Sequence, residues 1–216
     1  MKRKPKKISA FEKAKKEVLK KDPSLKALFK RHALDFSPKM ERPPFESLVR
    51  AIAHQQLHGK AAETILGRML ALFPEVDFPA AEDLLNLQDR QLRACGFSRS
   101  KTKSILDIAQ KTVEGVVPTA KEIRRMSNDE IIQRLTAIYG VGRWTVEMLL
   151  IFQLGRMDIW PVDDFGVRKG FQVWKRKREF PTAKQLKPHG EKWAPYQTVV
   201  SLHLWREADL RKTAKK

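Results

Sequence analysis

Apolar residues recur along most of this chain with the spacing of an α-helix. Between Phe45 and Ala53 they fall at i, i+3, i+4, i+7 and i+8, and the run from Ala62 to Phe73 repeats that pattern. This spacing puts them on one face of a helix, which must then be buried against other helices. No stretch of useful length alternates apolar and polar residues as a half-buried strand does. The sequence therefore predicts an all-α protein.

Proline, glycine and capping residues divide these patterns into separate helices. Pro44 begins one helix, Gly96 ends a pair of short ones, and Ser127 with Glu130 forms a capping box at the start of another. The stretch 145–154 is apolar on most sides, which is typical of a buried central helix. A basic stretch without a predicted helix follows residue 174. The expected helices lie at 25–29, 45–53, 62–73, 84–95, 102–113, 127–135, 145–154, 163–174 and 196–205.

Charge restricts the partners of this chain. Its 44 Lys and Arg exceed its 25 Asp and Glu, which gives a formal net charge of +19. A field of this sign favours polyanions, either nucleic acid or an anionic membrane surface. The most apolar stretch, 148–152, is far too short to span a bilayer, and no apolar segment of a signal peptide follows the basic N-terminus. We therefore expect a nucleic-acid partner, no membrane, and a cytoplasmic location at the nucleoid, or a nuclear one in a eukaryote.

The N-terminal segment of the chain is strongly basic. Residues 1–21 carry ten Lys or Arg and two Glu; the first several are predicted to be disordered and the rest to begin a helix. This segment is either a solvated tail or an arm that contacts phosphate.

Cys95 is the only cysteine, which excludes an intramolecular disulfide and a four-cysteine zinc or iron–sulfur site. We expect no cofactor.

A glycine-rich turn, 138–142, separates two helical patterns. Its two glycines predict a sharp bend with positive φ and close access to the main chain. The amides of Gly140, Gly142 and Arg143 would then lie at the N-terminus of the next helix, whose partial positive charge suits a DNA phosphate. An ordinary tight turn between helices has the same pattern, so the turn alone leaves both interpretations open.

Two adjacent carboxylates, Asp163 and Asp164, lie at a predicted helix start. One of them is expected to cap the helix, and we assign that role to Asp163. Asp164 would then sit in the first turn, where the helix dipole favours the ionised form. An anion suits a reaction that develops positive charge on a sugar, as cleavage of an N-glycosidic bond does. It could stabilise that cation or orient water, and the sequence does not separate these roles.

Several motifs, in order along the chain, resemble one protein family. The segment 135–145 followed by 161–164 is similar to the helix-hairpin-helix DNA glycosylase superfamily, and within it to the 3-methyladenine DNA glycosylase II branch. The likeness extends from Phe45 to Trp205. It implies two helical lobes with a DNA-binding cleft between them, in which a flipped nucleotide is held. It also implies that 22–216 form one contiguous functional unit that acts as a monomer on double-stranded DNA containing a damaged base.

The resemblance assigns roles to three residues. Asp164 matches the catalytic Asp of the family. Trp144 stands where bifunctional members carry a Schiff-base Lys, and an indole cannot form an imine, so a monofunctional enzyme without lyase activity is implied. Trp144 and Trp205 match aromatic positions of the base pocket, where electron-rich rings suit cationic alkylated bases. Core packing is the alternative role for both.

The resemblance also assigns the DNA contacts. Gln55, Gln56 and Leu57 fall where the family inserts a wedge into the space left by the flipped base. Gln56 also continues the apolar face of its helix, so packing within the fold is the alternative to its role as a wedge. Tyr139 stands where the hairpin usually has proline, so this hairpin lacks the fixed φ that a proline ring would give it. A monovalent cation at the hairpin carbonyls is implied by resemblance alone. The phosphate-binding hairpin comprises Gly140, Val141, Gly142 and Arg143.

The expected function is hydrolytic removal of alkylated bases such as 3-methyladenine and 7-methylguanine by base flipping, the first step of base excision repair. Two alternatives remain open. The chain could be a non-catalytic DNA-binding module that uses the hairpin as a phosphate anchor, or a glycosylase for deaminated or mismatched bases.

Overall fold

The computed structural model describes residues 9–38 and 41–213, and all of its regular elements in these ranges are helical. The all-α prediction is therefore confirmed. A short 3-10 helix, Pro23–Leu25, precedes the second α-helix. The prediction of disorder in the first several residues lies outside the described ranges. The α-helices are α1 (Ala10–Lys21), α2 (Lys26–Arg31), α3 (Pro44–His54), α4 (Gly59–Leu70), α5 (Ala81–Leu85), α6 (Asp89–Cys95), α7 (Arg99–Val113), α8 (Ala120–Ile123), α9 (Asn128–Thr136), α10 (Arg143–Phe152), α11 (Phe165–Trp174), α12 (Ala183–Trp193) and α13 (Gln197–Thr213).

The described residues form two compact units, as the family resemblance implies. The first unit comprises 9–38 and 155–213, and the second comprises 41–154. The described part of the chain therefore starts in the first unit, forms the whole of the second, and returns to the first. Among the described residues, none of the helices combines the length and the hydropathy that a membrane-spanning segment needs.

The second unit is organised around α3, which packs against α4, α7 and α10. The apolar face predicted from residue spacing is the buried face, because Leu48, Val49, Ile52 and Ala53 have no solvent exposure. Helix α10 is buried on most sides, as its composition predicts, although residues 144 and 152 remain exposed. The periodicity thus identified the faces that build this core.

In the first unit, α11 crosses α13 with their backbones in close contact. A Cβ atom added to Gly170 would lie 1.9 Å from the carbonyl oxygen of Leu204, so only glycine fits at this crossing. Val167 and Phe171 on α11 are buried beside it. The crossing fixes the position of α13 relative to the start of α11.

Helix α1 belongs to the first unit. Phe11, Ala14 and Val18 are buried along one side of this helix, and the Phe11 ring stacks on His203 of α13 with 6.1 Å between centroids. The helical part of the basic N-terminal segment is therefore packed into the fold.

Helix α12 lies in the basic stretch for which the sequence pattern predicted no helix. Its capping box joins Thr182 and Gln185, and Leu186, Gly190 and Trp193 are buried. Lysines and an internal proline, Pro188, interrupt its apolar spacing. Apolar spacing missed this helix because its buried face contains few apolar residues, although the capping box could have indicated its start.

His203 makes the stability of the first unit depend on pH. Burial between aromatic rings lowers the pKa of its imidazole from 6.5 to about 4. Its Nδ1 faces the carbonyl of Val199 at 2.7 Å, and its Nε2 is buried without a hydrogen-bond partner in the described part of the chain. Protonation would place an unpaired charge in the core.

Acidification below about pH 6.5 is therefore expected to destabilise the protein through His203. The unfolded chain binds a proton at this residue before the folded chain does, so stability falls as the pH drops from 6.5 towards 4. We expect a loss of about 2 kcal/mol between roughly pH 7 and pH 5. Urea unfolding at both pH values measures it. The substitution His203→Leu should remove most of the difference, whereas His58→Gln, an exposed control, should retain it. An unchanged pH dependence in His203→Leu would contradict this assignment.

Candidate active site and hairpin

Asp164 is the N-cap of α11. Its Oδ1 accepts a hydrogen bond from the N–H of Val167 at 2.7 Å, and its own N–H donates to the carbonyl of Pro161 at 3.1 Å. Asp163 is exposed in the turn between Pro161 and Asp164. Our assignment of the cap to Asp163 was wrong, because the turn that begins at Pro161 shifts the helix start by one residue.

Trp205 of α13 also holds this carboxylate. Its indole Nε1–H donates to the same Oδ1 at 2.7 Å, and the ring lies against Gly166, where a Cβ would be 2.6 Å from the ring atom Cδ1. Asp164 as a residue is 8% exposed. Two N–H donors on one oxygen fix its orientation, and neither of these two bonds uses Oδ2. The sequence resemblance selected Trp205 for a base pocket, but it contained no signal for this contact.

The glycine turn connects α9 to α10, and its two glycines have different conformations. Gly140 has φ +80, whereas Gly142 is an extended N-cap with φ −86 and ψ 165. Our expectation of positive φ was therefore wrong for Gly142. That residue has no heavy atom within 4 Å of where a Cβ would be, and it has no side chain to bond the first amides of α10. Gly142 and Arg143 are both exposed, so an anion can approach this helix end from outside.

The remaining two hairpin residues differ in exposure. Val141 is buried, and its N–H donates to the carbonyl of Ile138 at 3.1 Å, so it anchors the turn. Arg143 donates from Nε to Glu147 Oε1 at 2.9 Å, while its side chain stays 60% exposed. A guanidinium held at one end beside an open helix N-terminus can also contact phosphate.

The segment predicted to contain the wedge follows α3. Helix α3 ends at His54, so Gln56 does not continue its apolar face, as we had expected. Gln56 has φ +55 and is exposed, and Leu57 is also exposed. Gln55 instead points to the hairpin, where its Nε2 donates to the carbonyl of Gly140 at 3.2 Å.

That bond bears on the monovalent cation implied by resemblance. The Gly140 carbonyl accepts from the Gln55 amide, and the Ile138 carbonyl accepts from Val141, so N–H donors already face both oxygens. Each carbonyl oxygen has a second lone pair, so the monovalent cation stays a prediction from the resemblance. No cluster of three or more His, Cys, Asp or Glu side chains suited to a metal occurs among the described residues.

A pocket of about 620 Å³ opens in the second unit between α3 and α10. Trp144, Met148 and Phe152 are spaced four residues apart and share its α10 side. Trp144 is 47% exposed, and Gln55 and Gln56 also line the pocket. The volume is in the range of small-ligand sites, and the walls are mostly apolar. The i, i+4, i+8 spacing could have revealed Met148 and Phe152, but the helix looked uniformly buried.

The predicted site residues thus form two groups. Asp164 and Trp205 are joined by a hydrogen bond in the first unit. In the second unit, Gln55 links the wedge segment to the hairpin, and Trp144 lies in the pocket beside it.

Most of this chain is similar in sequence and in structure to DNA-3-methyladenine glycosylases. A DNA-3-methyladenine glycosylase of Schizosaccharomyces pombe is 43% identical over 170 residues, which are 79% of this chain and 75% of the relative. The structure of a 3-methyladenine DNA glycosylase from that organism, in complex with abasic DNA, has a TM-score of 0.79 at 40% identity, covering 90% of this chain and 95% of the other.

A bacterial structure agrees equally well with this fold. A DNA-3-methyladenine glycosidase from Bacillus halodurans has a TM-score of 0.83 at 33% identity, covering 93% of this chain and 91% of that one. The model of the HhH-GPD superfamily of base excision DNA repair proteins matches residues 49–195, which include the hairpin and Asp164. The chain therefore belongs to the HhH-GPD superfamily of base excision DNA repair proteins.

Proposed function

We propose that this chain is a monofunctional DNA glycosylase that removes alkylated bases, of the 3-methyladenine and 7-methylguanine type, from duplex DNA. The observation that carries this proposal is the Asp164 carboxylate, fixed by Val167 and Trp205 at a helix start in a member of this repair family. The S. pombe and B. halodurans relatives named for 3-methyladenine support the lesion class. Base release would take place in the nucleoid, or in the nucleus of a eukaryotic cell.

Asp164 would act on the sugar. As the bond from C1′ to the base nitrogen breaks, the base leaves with the electron pair and positive charge develops on the deoxyribose. A carboxylate whose orientation is already fixed stabilises that charge without reorganising during the reaction. Water then adds to C1′, loses a proton to the solvent, and leaves an abasic site. An alkylated purine carries positive charge before cleavage, so it is a good leaving group.

The absence of lysine at position 144 predicts that the enzyme does not cut the strand. Trp144 has no amine with which to form an imine to the sugar. A duplex oligonucleotide with one alkylated purine tests both points. We expect release of free base, strand cleavage only after alkali, and no covalent complex upon reduction with borohydride. Binding without base release would identify a non-catalytic module, and release of only deaminated or mismatched bases would identify another lesion class.

The hairpin would hold a DNA phosphate. The open amides at Gly142 and Arg143, the exposed Arg143 side chain and a net charge of +19 favour contact with the backbone of the duplex. For the wedge, we propose Gln56 or Leu57, since both are exposed. The Gln55 amide is bonded to Gly140 and would position the wedge segment relative to the hairpin.

The pocket beside Trp144 would hold the flipped base. A cationic purine stacks favourably on an indole face, and such stacking contributes about 1–3 kcal/mol per base. We therefore expect Trp144→Ala to lower kcat/KM for 7-methylguanine excision by about 5- to 150-fold. Trp144→Phe should retain more activity, because it keeps a ring. Single-lesion excision kinetics measure both variants, and wild-type kinetics in Trp144→Ala would exclude this role.

A further inference from the structure

The hairpin rests on one face of α7. Lys103, Ser104 and Asp107 lie on that face, at relative positions i, i+1 and i+4. Each of them lies close to the turn between α9 and α10, which is more than thirty residues away in sequence. This face therefore constrains the geometry of the segment that, in the proposed function, binds phosphate.

Asp107 forms the most directed of these contacts. Its Oδ2 accepts a hydrogen bond from the backbone N–H of Tyr139 at 2.7 Å. The Lys103 ammonium lies 4.2 Å from the centre of the Tyr139 ring, so the side chain of that residue is held on the same face. At the next residue, a Cβ on Gly140 would lie 2.1 Å from Ser104 Oγ, which shows how closely the turn approaches the helix.

The bond to Asp107 depends on the residue type at position 139. A proline there would have a fixed φ and no N–H to donate. Tyrosine leaves φ free, and its N–H is the group that Asp107 binds. The Asp107 carboxylate, on a neighbouring helix, thus restrains the main chain at position 139, where this turn has no proline to do so.

We propose that Asp107 is a positioning residue for DNA binding, one that fixes the hairpin main chain through the N–H of Tyr139. This proposal rests on the proposed role of the hairpin in phosphate binding. Asp107 itself does not bind DNA, because a carboxylate repels phosphate. Asp107 therefore has two opposite effects on DNA binding. Its hydrogen bond to Tyr139 favours binding by fixing the hairpin, and its negative charge disfavours binding by repelling phosphate.

Two substitutions of Asp107 distinguish the effect of the hydrogen bond from that of the charge, because they should change the affinity for DNA in opposite directions. Asp107→Asn keeps an oxygen that accepts from Tyr139 and removes the charge, so the affinity for duplex DNA should equal or exceed that of the wild type. Asp107→Ala removes the same charge together with the acceptor. We expect it to bind DNA about threefold to tenfold more weakly, although electrostatics alone predicts tighter binding. If Asp107→Ala binds as tightly as Asp107→Asn, the proposal is overturned.

Substitutions of Tyr139 identify the bonded group. Tyr139→Ala keeps the N–H, so Asp107→Ala should still weaken binding in that background. Tyr139→Pro lacks the N–H, so Asp107→Ala should have no further effect there. Equal effects of Asp107→Ala in both backgrounds would show that it acts by another route. The Tyr139→Ala pair keeps the test decisive if the proline variant does not fold.

Fluorescence anisotropy with an undamaged duplex and with a duplex containing an abasic-site analogue measures these affinities without catalysis. A failure of the proposed excision activity therefore leaves this test intact. Excision kinetics add a second readout, because a positioning residue for binding should change KM and leave kcat near its wild-type value. A fall in kcat with unchanged KM in Asp107→Ala would contradict the proposal.

Discussion

Replacing Asp164 with asparagine is expected to lower the rate of base excision by about 10²- to 10³-fold. Asparagine caps helices as well as aspartate does, and its Oδ1 can accept from both Val167 and Trp205. The substitution therefore removes the negative charge and keeps the hydrogen bonds that orient the side chain. Single-turnover excision of 7-methylguanine from a duplex measures the loss.

Two controls isolate the charge of Asp164. Asp163→Asn removes an identical charge from the exposed neighbouring residue, and we expect near wild-type excision from it. Asp164→Ala also removes the cap and should cost about 1 kcal/mol of stability, which Asp164→Asn should not. DNA binding should persist in all three variants. Rapid base release by Asp164→Asn would remove this carboxylate from the mechanism.

Replacing Gly170 with alanine is expected to destabilise the protein by about 3 kcal/mol or more. The new Cβ would lie 1.9 Å from the carbonyl oxygen of Leu204 and 2.5 Å from its carbonyl carbon. Both atoms belong to the backbone of α13, so no side chain can rotate away to relieve the overlap. The two helices must separate, and the adjacent Trp205 must shift relative to Asp164.

Gly67→Ala is the matched control for this prediction. Gly67 is an exposed residue of α4, with no heavy atom within 4 Å of a Cβ there. The same substitution should therefore stabilise the protein by about 0.5–1 kcal/mol, because alanine has the higher helix propensity. Urea unfolding of both variants compares the two signs. If Gly170→Ala were as stable as the wild type, the close crossing of α11 and α13 would be refuted.

Local patterns in the sequence were sufficient for the helical class and for several faces of the core. The spacing from Phe45 to Ala53 identified the buried side of α3, and the capping box at Ser127 identified the start of α9. The resemblance then selected Asp164 and the hairpin. These predictions succeed because helix periodicity and capping act within a few residues of chain.

The tertiary structure decided which atoms these residues contact. The cap belongs to Asp164 and not to Asp163, Gln55 bonds to the hairpin, and α12 forms with few apolar residues. The indole of Trp205 reaches Asp164 across 41 residues of chain. The carboxylate of Asp107 reaches the hairpin across 32.

The sequence by itself thus determined the helical class, the position of most of the helices and the residue types available for chemistry. Only the folded chain determined which donors orient the carboxylate and which helix supports the hairpin. The physical reason is range: a helix is stabilised by neighbours three or four residues away, whereas the direction of a side chain depends on packing between helices distant in sequence.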